Sequence, residues 1–293
     1  MTAALEHFDL GLPNGIRLAC RAAGVPGAPR VLLLHGFPEG AFIWDEVISA
    51  LAGEARCVAP DMRGFGASTS PVEVVAYKAR ELVGDLVAAI DVLGGPLDLL
   101  VAHDWGGAVA WALAAQRPDL MRRLLIINSP HPATFLRELR SSRAQQEASA
   151  YMNFLCRPDA ERLLAENGYA RLFRFFGEPA WLTPRLREVY ATHWTRGLTG
   201  GLNYYRASPL KPAVSSADAI HSLQLPDDAF TIKVPTTVLW GEGDVALLPG
   251  LLHGLERWVP RLDILREPQC THWLVHERPA LVADTIRRLL RPD

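Results

Sequence analysis

Residues 97–116 read LDLLVAHDWGGAVAWALAAQ, and this stretch decides the fold. Residues 97–101 are an apolar run of strand length, interrupted only by Asp98, of the kind buried on both faces of a parallel sheet. Residues 108–115 are alanine, valine, leucine and tryptophan, a helix apolar enough to pack on that sheet. Between them Ala102-His103-Asp104-Trp105-Gly106 has the form small-x-acid-x-small. This is the form of a nucleophile elbow, with aspartate at the centre instead of the commoner serine. Such a strand-to-helix turn is so tight that the flanking residues must be small. It is expected to hold Asp104 in a strained conformation with its side chain pointing over the sheet edge. A plain turn capped by aspartate would also fit these five residues, so the rest of the chain has to decide.

Upstream, two short strands (residues 7–10 and 16–21) flank a Pro13-Asn14-Gly15 turn. A third strand, 30–35, runs into Gly36-Phe37-Pro38-Glu39-Gly40, followed by a helix over 42–51. A fourth, 56–59, leads into the loop DMRGFGAS at 61–68, whose glycines allow a tight turn and whose Arg63 pairs locally. The pattern then predicts a long helix over 71–93 and, after the elbow, a strand over 123–128. Strand and helix alternate, so a mostly parallel, doubly wound α/β sheet follows, with ligands at the carboxyl edge of its strands.

At Pro130-His131-Pro132 the alternation stops. From 133 to about 212 there are helical patterns and no convincing strand, an insertion that reads as a cap over the carboxyl edge. Its many arginines read as solvated helix faces. The sheet resumes at 236–240 and ends in Gly241-Glu242-Gly243-Asp244. A helix over 247–258, a strand over 262–265, Cys270-Thr271-His272-Trp273 and a helix over 279–290 complete the chain. The expected division is core 1–131, helical cap 132–212 and core 213–293.

Composition narrows the class. Thirty basic and thirty-two acidic residues leave a net charge of −2, which points away from nucleic acid and anionic membranes. The opening MTAALEHFDLGLPNG lacks a signal-peptide pattern, no long apolar span follows, and the four cysteines have no metal-like spacing. The expectation is a cytoplasmic protein with reduced thiols and neither metal nor cofactor, as monomer or homodimer.

Asp104, Asp244 and His272 occur in the order nucleophile, acid, histidine. A carboxylate transfers acyl groups poorly but displaces a leaving group at saturated carbon, giving an alkyl ester of the enzyme. Water activated by His272, oriented by Asp244, would hydrolyse that ester. The charge developing on Asp104 would be met by the backbone N–H groups of Trp105 and Phe37. Glu242 is a rival acid, and His35 and His103 read as braces for their loops.

These motifs carry a resemblance. His35-Gly36-Phe37-Pro38-Glu39, DMRGFGAS, His103-Asp104-Trp105-Gly106-Gly107, the GEGD turn and Thr271-His272-Trp273 resemble the α/β-hydrolase superfamily, most closely its epoxide hydrolase branch. The resemblance implies an eight-stranded sheet, a small apolar epoxide as substrate, and two cap tyrosines that polarise the ring oxygen. Leu202-Asn203-Tyr204-Tyr205-Arg206 is similar to the family's Asn-aromatic-Tyr-Arg motif, which makes Tyr205 one tyrosine. Tyr151, in the segment 151–158, would be its partner. Both would bind substrate, together with Phe37 and Trp105. Haloalkane dehalogenases share most of these motifs and would need a second halide donor beside Trp105, for which Trp181 and Trp194 are the candidates. A binding protein of the same fold without turnover is the remaining alternative. Thr271 departs from the glycine usual before the histidine.

Overall fold

The structure, a computed structural model, describes residues 5–291. Eight strands form one sheet: β1 (Glu6–Gly11), β2 (Arg17–Ala23), β3 (Arg30–Leu34), β4 (Arg56–Pro60), β5 (Leu99–His103), β6 (Leu124–Ile127), β7 (Thr236–Gly241) and β8 (Leu262–Glu267). Their order is β1-β2-β4-β3-β5-β6-β7-β8. The β1–β2 and β2–β4 pairs are antiparallel, and every later pair is parallel. Every residue of β5, β6 and β7 is buried, as expected of strands covered on both faces by helices.

The chain winds from β3 outward to β4, then returns past β3 to lay down β5. The order reverses between β3 and β5, so their carboxyl ends open a crevice where the loop 35–40 and Asp104 meet. The core helices are α1 (Asp45–Leu51), α2 (Ala79–Val92) and α3 (Asp104–Gln116). Between β6 and β7 come α4 (Pro132–Ser141), α5 (Arg143–Ala148), α6 (Tyr151–Leu155), α7 (Ala160–Phe176), α8 (Pro184–Trp194), α9 (Thr199–Ala207) and the single turn α10 (Asp227–Phe230). The last two, α11 (Leu274–Glu277) and α12 (Pro279–Leu290), follow β8. No strand interrupts the insertion, whose α7 is itself broken at residues 166–169 by non-helical backbone. No helix among the described residues is long and apolar enough to cross a membrane.

Three expectations about the elements and one about a side chain are corrected. The long helix over 71–93 is a 3-10 turn, Val74–Tyr77, followed by α2, because Lys78 between them is extended. The Tyr77 hydroxyl donates to the Pro71 carbonyl at 2.7 Å, and Arg63 Nη1 to that of Ala76 at 2.7 Å, tying this segment to the 61–68 loop. The helix over 247–258 is two 3-10 turns, Pro249–Leu252 and Leu255–Arg257, parted by Gly254 at φ +70°. The elbow strand is displaced, with β5 running to His103 and Leu97 making only an isolated bridge to Met121.

Arg63 does not pair locally. It forms a buried two-pronged bond to Asp85 of α2 (2.6 and 2.7 Å), and Asp85 also accepts from Asn14 at 2.7 Å. Guanidinium and carboxylate meet in parallel bonds that compensate their burial, so removing either partner would leave an uncompensated charge.

Candidate active site

Asp104 ends β5 and opens α3 with φ +48°, in the left-handed region that is unfavourable for a residue with a Cβ. Surrounding contacts hold it there. Ser129 Oγ donates to the Asp104 carbonyl at 2.7 Å, and packing leaves no room for larger neighbours. A Cβ at Gly106 would lie 2.6 Å from the His35 carbonyl oxygen, and one at Gly36 only 2.1 Å from Asp104 Oδ1.

The two oxygens of Asp104 face different surroundings. Oδ1 accepts the Phe37 N–H at 2.7 Å, whereas Oδ2 lies 3.9 Å from His272 Nε2. The Trp105 N–H sits in the first turn of α3, where backbone donors have no partner within the helix.

His272 Nδ1 donates to Asp244 Oδ2 at 2.7 Å. The same oxygen accepts from Asn128 Nδ2 at 2.9 Å, while Oδ1 takes the backbone N–H groups of Ala246 and Leu247 at 2.9 Å each. Burial pushes the Asp244 carboxyl up, but His272 and these donors outweigh it and hold it below the usual range. Burial likewise opposes the charged form of His272. The Asp244 carboxylate beside it, helped by Asp104 and Glu39, raises its pKa to about 9. At neutral pH this shift favours the imidazolium form of His272. Glu242, the rival acid, is bound to Arg266 at 2.8 Å.

Tyr151 opens α6 and Tyr205 lies in α9, and the structure brings both to Asp104. Their rings meet edge-on at 6.1 Å, and Tyr205 packs edge-on against Trp105 (5.0 Å) and Phe37 (5.4 Å). Both tyrosines line a cavity of about 230 Å³ together with Phe37, Asp104, Asp244 and His272. A smaller apolar lobe of about 70 Å³, walled by Trp105, Phe135 and Met152, reaches the same Asp104, Tyr151 and Tyr205. Burial and the nearby Asp104 carboxylate push both phenols above their ordinary range, so they remain neutral donors. The adjacent Tyr204 turns away and donates to the Arg63 carbonyl at 3.0 Å.

Several residues with a part in this site have partners that sequence reading missed. Glu39, within a recognised motif but given no role there, is buried. Its Oε1 accepts the Tyr190 hydroxyl at 2.6 Å and lies 2.9 Å from His276 Nε2, while Oε2 lies 3.3 Å from His103 Nδ1. His103 Nε2 in turn donates to the His272 carbonyl at 2.9 Å, so one carboxylate links α8 of the insertion to the histidine loop. Burial raises the Glu39 carboxyl, yet the bonds to His103 and His276 hold it well below the carboxylate range. Its partners lie up to 237 residues away, beyond any spacing rule. Thr271 fastens the same loop: its N–H and hydroxyl donate to the Glu277 carboxylate at 2.8 and 2.6 Å. His35 ties its loop to the 61–68 loop by accepting the Met62 N–H at 3.0 Å.

The two insertion tryptophans stand apart from the cavity wall. Trp194 donates its indole N–H to the Pro38 carbonyl at 2.6 Å, and Trp181 stacks on His276 at 4.4 Å.

Comparison with known proteins accords with this arrangement. The α/β-hydrolase fold family model matches residues 29–279. The chain is 33% identical to an AB hydrolase superfamily protein of Bacillus subtilis, over 95% of this chain and 96% of that one. It is 31% identical to mouse epoxide hydrolase 4, covering 96% of this chain and 78% of that protein. The crystal structure of Bacillus megaterium epoxide hydrolase in complex with an inhibitor superposes with a TM-score of 0.89 at 29% identity, covering 97% and 99% of the two chains. Fold, elbow and relatives agree: the chain belongs to the α/β-hydrolase superfamily and, within it, to the epoxide hydrolase family.

Proposed function

We propose that the protein hydrolyses epoxides to vicinal diols through a covalent ester on Asp104, without cofactor or metal. The observation that carries this reading is the cavity wall itself. Two neutral phenols on insertion helices face the Asp104 carboxylate, with His272 beside it. Residues 132–212 act as a cap that brings those phenols to the core segments 1–131 and 213–293.

Tyr151 and Tyr205 donate to the ring oxygen. Asp104 Oδ2, the oxygen outside the Phe37 bond, attacks a ring carbon as the carbon–oxygen bond breaks, and a proton from a phenol settles on the new alkoxide. Forming the ester removes the negative charge of Asp104, one of the groups that hold the proton on His272. The basicity of His272 falls at the moment a base is required. The imidazolium proton passes to the tyrosinate left by ring opening, and the neutral imidazole then takes a proton from water as the hydroxide adds to the Asp104 carboxyl carbon. The resulting oxyanion forms on Oδ1, where the Phe37 and Trp105 N–H groups receive it; its collapse breaks the ester bond, and the His272 proton passes to the leaving alkoxide to complete the diol.

The dehalogenase alternative loses support because neither Trp194 nor Trp181 borders the cavity at Asp104. The test is a panel of styrene oxide, an aliphatic epoxide and 1-bromoalkanes, with diol and halide followed in parallel and Asp104→Ala as blank. Diol without halide is the expected result. Halide without diol would overturn the tyrosine assignment, and neither product would favour a binding protein.

A further inference from the structure

Arg174 stands out among the arginines of the insertion. Arg137, Arg140, Arg157 and Arg206 are all fastened to carboxylates or backbone carbonyls. The side chain of Arg174, in the last turn of α7, makes no hydrogen bond or ion pair among the described residues; the same holds for the exposed Arg171, Arg185 and Arg196, but Arg174 is the one lysine or arginine lining the cavity that holds Asp104. Its location suits the negative end of a helix, which accounts for a cation but not for its facing the reaction chamber. Apart from the groups around Asp104, the lining of this cavity is mostly apolar: Phe37, Pro38, Ala148, Phe175, Val245, Ala246. Val245, 82% exposed, and the exposed Arg174 mark the side of the chamber open to solvent.

A substrate that fills this chamber meets Asp104 and the tyrosines on one part of its wall and, on another, a guanidinium that no carboxylate of the described residues occupies. A guanidinium pairs with a carboxylate in parallel charge-assisted bonds, so the missing partner has a definite chemistry. We infer that Arg174 is a specificity residue which selects epoxides carrying a carboxylate at the end remote from the ring, with an apolar group between. A short epoxy acid fits the cavity of about 230 Å³. The inference rests on the epoxide-hydrolase reading for its reaction but not for its recognition, and the two are tested separately.

The test compares 4-(oxiran-2-yl)benzoate, whose carboxylate lies across the benzene ring from the epoxide, with its near-isosteric primary amide, with styrene oxide as the neutral reference. For wild type, kcat/KM favours the acid over the amide, and Arg174→Gln lowers that ratio about fivefold, through KM, as befits a partly exposed ion pair. Arg174→Lys restores part of the ratio, and added salt weakens it in wild type. Arg171→Gln, one turn earlier on α7 and outside the cavity wall, leaves the ratio where it was. An acid-to-amide ratio untouched by Arg174→Gln would overturn the inference while styrene oxide still yields diol. Absence of diol from every epoxide would instead overturn the reaction. In that case calorimetric binding of 3-phenylpropanoate against its amide, wild type beside Arg174→Gln, decides on recognition: preference for the acid lost in the variant supports it, and equal binding refutes it.

Discussion

The two sides of the reaction chamber are built in opposite ways. On the core side, Asp104 and Asp244 stand at the ends of fully buried strands, and backbone N–H groups fix their carboxylates. On the insertion side, Tyr151 and Tyr205 ride on helices of five and nine residues and are positioned by ring contacts with one another and with Phe37 and Trp105. In the proposed mechanism, bond making at Asp104 and His272 tolerates little displacement, and rigid strands supply that precision. In the same proposal, recognition of a ring oxygen and of the rest of the substrate falls to helices outside the sheet. The Glu39 carboxylate, bonded to Tyr190 on one side and near His103 on the other, is where the two constructions meet.

Substitutions on each side sharpen this contrast. The largest effect is expected on the core side: Asp104→Ala should abolish diol formation in steady-state assays, leaving no nucleophile to form the ester. On the insertion side, Tyr205→Phe should slow ring opening about 100-fold, the low end of general acid contributions, in single-turnover measurements. Tyr204→Phe should leave turnover nearly unchanged while costing about 1 kcal/mol in urea unfolding, because its hydroxyl serves only the Arg63 carbonyl. A Tyr204 effect as large as that of Tyr205 would break the assignment. At the junction, Tyr190→Phe deprives buried Glu39 of a donor and should destabilise by about 1–3 kcal/mol.

The smallest effect concerns pH. The His272 pKa is raised to about 9 in the folded chain, above its value in an unfolded one. The stability this contributes is complete below about pH 6.5 and is lost as pH rises through about 9. Melting temperatures of wild type should therefore fall over that window by an increment that His272→Gln lacks.

The core side was the more legible in sequence, for a physical reason. Strand ends and tight turns impose local demands, so HGFPE, AHDWGG, GEGD and THW each announce a turn and a side chain. The helix over 71–93 failed because its amphipathic pattern continues through Lys78, where the backbone turns to an extended conformation. Arg63 was assigned a local partner, whereas Asp85 lies one turn of the fold away. On the insertion side only the tyrosines were visible, through a resemblance. The bonds of Tyr190, Trp194 and Tyr204 to the core join residues more than a hundred positions apart and leave no periodic trace.

The most direct test of the account is the intact mass of His272→Gln after incubation with styrene oxide. Without its base the ester should persist, so the protein should gain the mass of the epoxide, with the adduct mapped to the peptide containing Asp104. An unmodified variant, alongside a wild type that forms diol, would contradict a covalent intermediate on Asp104.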